Sequence, residues 1–208
     1  MTLPNQLTIL RIILTPAFIL LVLTDDLVSK YIAGIVFFIA SLTDLYDGYI
    51  ARRSGSISKW GKFLDPLADK ILIISALVCL TILHYVAAWM VVLIAARDVV
   101  VTAIRTYAFI KDISMTTLRI AKWKTALQSA AVYFLLAFLL IERSIVARGK
   151  TWAIIEWIRE YNILDIMMYI VTIYTVITGI VYVVVNRTYL KSFAAEASII
   201  SKPGNNKR

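Results

Sequence analysis

The chain has 208 residues, 61% of them hydrophobic and 17% charged, with a formal net charge of +9 and a mean hydropathy of +0.82; soluble domains are roughly half apolar, so a compact soluble bundle is set aside. A single cysteine, Cys79, and a single histidine, His84, exclude an internal disulfide framework, a cysteine-rich metal site and a multi-histidine centre. The chemistry is left to carboxylates, hydroxyls, lysine and arginine, and the basic balance suits lipid headgroups or a phosphorylated substrate rather than nucleic acid, because the basic residues fall between apolar runs.

A membrane-spanning helix needs about 20 mainly apolar residues. The first apolar run, residues 7–23, is followed by Thr24-Asp25-Asp26, which offers no small-residue cleavage site, so it reads as a retained span and not as a signal peptide. Further runs at 31–50, 64–83, 85–110, 125–141 and 163–185 complete an all-α chain with six transmembrane helices. Residues 151–161 alternate tryptophan, isoleucine and charge at helical spacing, which suits a short helix in the membrane interface or one in a surface loop. No repeat or linker divides the chain. Residues 1–200 form one membrane domain and 201–208 a disordered basic tail.

Cytoplasmic loops are enriched in lysine and arginine. Arg52, Arg53, Lys59 and Lys62 follow the second run, Lys111, Arg119, Lys122 and Lys124 follow the fourth, and Arg187, Lys191, Lys202, Lys207 and Arg208 lie in the tail. The first and third connections carry only Lys30 between them, which places both termini in the cytoplasm. The fifth connection, with Arg143, Arg148, Lys150 and Arg159, runs against that scheme.

The chemistry concentrates where the second run meets the third. Asp44, Asp47, Gly48, Ala51 and Arg52 recur at intervals of three and four and share one helix face, and Gly61, Asp65 and Asp69 share a face of the next helix. Four carboxylates at a membrane boundary repel one another and are costly to desolvate, so they require compensation. A divalent cation supplies it. Oxygen-only ligands indicate a hard ion, Mg2+ or Mn2+, and four carboxylates suffice for two ions. Gly48 and Gly61 leave backbone uncovered for a flat base or a diphosphate, or serve helix packing. Arg52 can fork onto phosphate oxygens or serve topology.

This pattern, Asp-x2-Asp-Gly-x2-Ala-Arg-x8-Gly-x3-Asp-x3-Asp, resembles at every fixed position the signature of the CDP-alcohol phosphatidyltransferases. Three further segments resemble the branch of that family that makes phosphatidylglycerophosphate: Pro4-Asn5-Gln6-Leu7-Thr8 with Arg11, Ala96-Arg97-Asp98 with Arg105, and Lys122-Trp123-Lys124-Thr125 with Gln128. Asp98 departs from the glutamate that follows the arginine in the family pattern. The resemblance implies a six-helix homodimer in the bacterial cytoplasmic (inner) membrane, with its active site open to the cytoplasm and two metal ions held by the motif acids. It implies that Asp44, Asp47 and Asp65 ligate metal, that Asp69 is both ligand and base, and that Asn5, Thr8, Gly48, Arg52, Ser58 and Gly61 line the pocket for CDP-diacylglycerol. Asn5 and Thr8 can equally cap the first helix.

If the acceptor is sn-glycerol 3-phosphate, its phosphate requires cations. Arg97 and Arg105 interrupt an apolar run, where charges usually serve a site or a partner, and they are placed toward the cavity with Lys122 and Lys124. Pairing of Arg97 with an acid such as Asp98, and a topological role for the two lysines, are the alternatives. The expected reaction is phosphatidyl transfer to glycerol 3-phosphate with release of CMP. A cardiolipin synthase using phosphatidylglycerol would carry the same motif. A transporter, the reading from another class, would show inverted repeats or paired broken helices, and none is present.

Overall fold

A computed structural model of the chain describes residues 3–54, 59–110 and 119–187, with side chains described at 6, 8–43, 68, 70–106, 108 and 123–187. Within them the protein is all-helical: α1 (Leu3–Leu23), α2 (Leu27–Ser54), α3 (Lys59–Ile82), α4 (Ala88–Ile110), α5 (Arg119–Ala147), α6 (Ala153–Glu160) and α7 (Ile163–Val185). Each of the six apolar runs is a helix, and the segment after Thr151 is α6. The tail at 201–208 lies outside the described residues.

Among the described residues, Trp123–Ala147 of α5 and Ile163–Val185 of α7 are long and apolar enough to cross a membrane, and the apolar stretches Thr8–Leu23, Leu27–Thr43 and Lys70–Ile82 are shorter. α4 has the length of a span, but Arg97, Asp98 and Arg105 lie inside it.

α1 packs on α2 and α3, α4 on α3 and α7, and α5 on α2, α3 and α7. Phe18, Phe37, Leu72, Leu77, Leu80, Met90, Ile94, Leu135 and Met168 form the fully buried centre. Phe37 meets Phe18 and Tyr133 at ring separations of 5.3 and 5.4 Å, and the Tyr133 hydroxyl donates to Ser41 Oγ, tying α5 to α2. Elsewhere large apolar side chains such as Leu20, Ile35, Val92 and Ile173 are exposed, as lipid-facing side chains are.

The helix ends show why the boundaries differ from the apolar runs. The run at 85–110 begins before α4 does, because α3 closes in a left-handed cap: His84 has φ 63°, its N–H bonds the Thr81 carbonyl at 3.0 Å, and the Tyr85 N–H bonds the Leu80 carbonyl at 2.8 Å. Histidine here does the work usually given to glycine. α5 outlasts its apolar run by a turn and a half, since Glu142 leaves the hydrocarbon already paired. It accepts from Arg159 Nε and Nη2 at 2.9 and 2.8 Å and from the Tyr85 hydroxyl, and Arg159 lies 5.1 Å over the Tyr85 ring. Arg159, one of the four cations that oppose the positive-inside count, is thus paired, but that count is of basic residues alone and the conflict stands. Burial and then the Glu142 carboxylate push the Tyr85 hydroxyl in this connection up to about 12, so it remains a donor across the working pH range. Gly149 (φ 62°) ends α5, with Lys150 N–H on the Ile145 carbonyl at 3.2 Å. α6 buries none of its residues.

Asp26 caps α2, accepting the Ser29 N–H at 2.9 Å and its hydroxyl at 3.1 Å. These bonds, the backbone one first, hold its carboxyl below the ordinary value of 3.8. A lowered folded-state value means that the stabilisation is present at neutral pH and fades as the pH falls through the ordinary value and below it. Asp26→Ala should lower the thermal midpoint of the detergent-solubilised protein at neutral pH, and the gap to wild type should narrow as the pH falls through 3.8 and below; a gap that does not narrow in acid would show that the cap does not act through its charge.

Candidate active site

The motif residues fall where their spacing requires. Asp44, Asp47, Gly48 and Arg52 lie on α2, and Gly61, Asp65 and Asp69 lie on α3, which packs against it. Both segments are helical throughout, so each set occupies one face of its helix. The side chains of these seven residues, and those of Asn5 and Lys122, are outside the described set, as is Ser58 altogether. Among the described residues no group of three or more His, Cys, Asp or Glu side chains is placed to hold a metal ion.

The start of α1 is fixed beside this region by polar contacts. Thr8 and Arg11 are buried, and Arg11 Nε donates to the Ala40 carbonyl of α2 at 3.3 Å, one turn before Asp44. Thr15 returns its hydroxyl to the Arg11 carbonyl at 2.8 Å, satisfying it within the helix.

A second polar centre is built around Asp98. Its side chain is wholly buried, and cations from three helices converge on it. Lys124 of α5 donates to Oδ1, Arg97 Nη1 reaches the same oxygen at 3.2 Å, and Lys70 of α3 lies 3.8 Å from Oδ2. Lys124 also donates to Gln128 Oε1, and Arg97 Nη2 donates to Thr178 Oγ1 of α7 at 3.2 Å. Lys70 adjoins Asp69 in the chain, so the basic centre begins one residue from the acidic motif.

Of the four cations expected at an acceptor site, Arg97 and Lys124 are thus brought together, through the Asp98 pairing that was the alternative reading of Arg97. Arg105, two turns further along α4, is exposed with its guanidinium 5.0 Å over the Tyr182 ring. Lys70, Thr178 and the rest of α7 were not singled out from the sequence. A signal was there: Thr172, Thr175, Gly179, Tyr182 and Asn186 recur at three and four in an apolar run and form one buried stripe.

An all-helical chain with long apolar helices, an acidic motif on two packed helices and a cluster of cations on Asp98 one residue away has the character of a membrane protein. A family model for the CDP-alcohol phosphatidyltransferases matches residues 1–181, and the chain belongs to that family. It is 32% identical over 187 residues to a Rickettsia typhi protein, covering 90% of this chain and 98% of that one. It is 36% identical over 138 residues to one from Escherichia coli K12, covering 64% and 75%, and 41% identical over 115 residues to one from Bacillus subtilis 168, covering 50% and 60%. All three relatives carry the name CDP-diacylglycerol–glycerol-3-phosphate 3-phosphatidyltransferase.

Asp98→Asn keeps the shape of the side chain and removes the only described anion of the basic centre. Leaving buried cations without their counter-charge costs roughly 3 to 5 kcal/mol, so the variant should unfold at a distinctly lower temperature than wild type. An unchanged melting curve would mean that other groups balance Lys124 and Arg97.

Proposed function

We propose that the chain transfers the phosphatidyl group of CDP-diacylglycerol to sn-glycerol 3-phosphate, giving phosphatidylglycerophosphate and CMP. The observation that carries this reading is the similarity, along nearly the whole of both chains, to a relative named for that reaction, joined to a motif filled at every fixed position. The basic centre supports the choice of acceptor. A phosphomonoester carries between one and two negative charges at neutral pH and calls for cationic donors, and two buried donors there, Arg97 Nε and Gln128 Nε2, have no partner among the described residues.

In this reading the four motif aspartates, Asp44, Asp47, Asp65 and Asp69, hold two divalent cations, Mg2+ or Mn2+. The donor set fits them: four carboxylates and no sulfur or imidazole. Bound there, the cations supply neutralisation of the diphosphate and stabilisation of the departing CMP. Asp69 takes the proton of the acceptor hydroxyl, which then attacks the lipid-side phosphorus. Asn5, Thr8, Gly48, Arg52, Ser58 and Gly61 receive the cytidine diphosphate end. Arg97, Arg105, Lys122 and Lys124 receive the acceptor phosphate. The reading carries with it six spanning helices, a homodimer, and a bacterial inner membrane with the site open to the cytoplasm.

CMP release from CDP-diacylglycerol by the purified protein tests the reaction. Glycerol 3-phosphate should support release and phosphatidylglycerol should not; the reverse preference would make the chain a cardiolipin synthase. EDTA should abolish release and added Mg2+ or Mn2+ restore it, and full activity after exhaustive chelation would end the metal-centred reading. Asp69→Asn should remain membrane-inserted while turnover falls by about 10^2 to 10^4-fold, the range for lost acid–base catalysis. Near-normal turnover would remove Asp69 from the role of base.

A further inference from the structure

α7 carries none of the motif residues quoted for the family resemblance, and the proposed reaction gives none of its residues a part. It nevertheless forms one wall of the basic centre. Thr178 donates its hydroxyl to the Thr175 carbonyl at 2.9 Å, which spends its proton and turns a lone pair toward Arg97 Nη2. The next residue, Gly179, is buried and is the one glycine of the helix. A Cβ added there would lie 2.8 Å from Arg97 Cγ, 3.3 Å from Nε and 3.7 Å from Cδ.

The chemistry of that contact separates Gly179 from a glycine that serves the backbone. It sits inside a regular helix and is not among the glycines with positive φ, so no left-handed conformation requires it. Glycine is also a poor helix former compared with alanine, which makes its presence in mid-helix unfavourable on local grounds. What the missing Cβ admits is the root of the Arg97 side chain. Cγ is held two bonds from the backbone and cannot swing aside as a chain terminus can. Relieving a 2.8 Å contact means turning the Arg97 side chain at χ1 or parting α4 from α7, and either displaces the guanidinium relative to Asp98 and Thr178.

We infer that Gly179 is a positioning residue for Arg97, fixing the orientation in which its guanidinium meets the acceptor phosphate. The inference rests on the reading of Arg97 as an acceptor-phosphate ligand, and it adds α7 to the acceptor side of the site. Thr178 sets the guanidinium from one side and Asp98 from the other, while the bare Cα of Gly179 leaves the room it occupies. Gly179→Ala should therefore impair the acceptor without touching the donor.

Steady-state kinetics on wild type, Gly179→Ala, Arg97→Ala and the double variant test this, with glycerol 3-phosphate and CDP-diacylglycerol varied in turn. Gly179→Ala should raise KM for glycerol 3-phosphate about tenfold or more, the scale of one lost charge-assisted contact, with KM for the donor and kcat little changed. The double variant should be no worse than Arg97→Ala alone, because a residue acting only through Arg97 has nothing left to act on. Multiplying effects in the double variant, or an unchanged acceptor KM in Gly179→Ala, would overturn the inference. If Arg97→Ala itself spares the acceptor KM, the reading of Arg97 falls instead. Should Gly179→Ala fail to fold, the double variant decides: recovery of folded protein once the arginine is gone confirms the contact, and failure of both overturns it.

Discussion

Asp98 sits in mid-helix with no solvent on its side chain, and the cations of α3, α4 and α5 converge on it. Charges taken out of water are stable only when their counter-charges and hydrogen bonds are in place together, so these helices cannot drift independently. Through Arg97 the constraint extends to Thr178 on α7. Four helices are thereby registered at one depth, beside the part of α3 that ends the acidic motif. Apolar packing alone would not do this, because in a lipid environment one greasy face exchanges for another at little cost.

The opposite end of the molecule is held by different means. Glu142, Arg159 and Tyr85 join the ends of α5 and α6 to the α3–α4 connection, yet Arg159 is half exposed, and exposed pairs contribute little individually. The two non-glycine residues with positive φ among those described, His84 and Asn162, line a cavity of about 290 Å³ at this end with Tyr85, Arg159 and Asp165. Chain reversals here are set by local backbone geometry and stacking, whereas the buried charges set the helix register at the motif end.

The difference between the ends explains what the sequence made legible. Helices were readable because an apolar run of spanning length has few alternatives in lipid, and the motif was readable because its chemistry lies on two consecutive helices at fixed intervals. The pairing of Arg97 with Asp98 was visible as an option, since the two are neighbours in the chain. The helix ends were harder: a left-handed histidine carries no signal of its own, and Glu142, in the part of α5 beyond its apolar run, is paired with Tyr85 and Arg159, residues distant in sequence. Lys70 and Gly179 acquire their meaning from which faces of α3, α4 and α7 meet. The polar stripe of α7 announced a buried face, but not what it would pack against.

The placement of charge along α3 has a chemical logic. Asp69 and Lys70 are successive residues of a regular helix, so their positions are about 100° apart around its axis. Lys70 approaches Asp98 on α4, while α3 also packs against α2, which carries the other half of the acidic motif. A single helix thus stands between an acidic set and a basic set. In the proposed reaction the donor diphosphate and the acceptor phosphate are both anions and repel one another. Bringing them within reach of a transfer step demands positive charge on the acceptor side. Asp98 gathers such charge: its buried carboxylate pairs with Lys124 and Arg97 and lies 3.8 Å from Lys70, holding cations of three helices at one place.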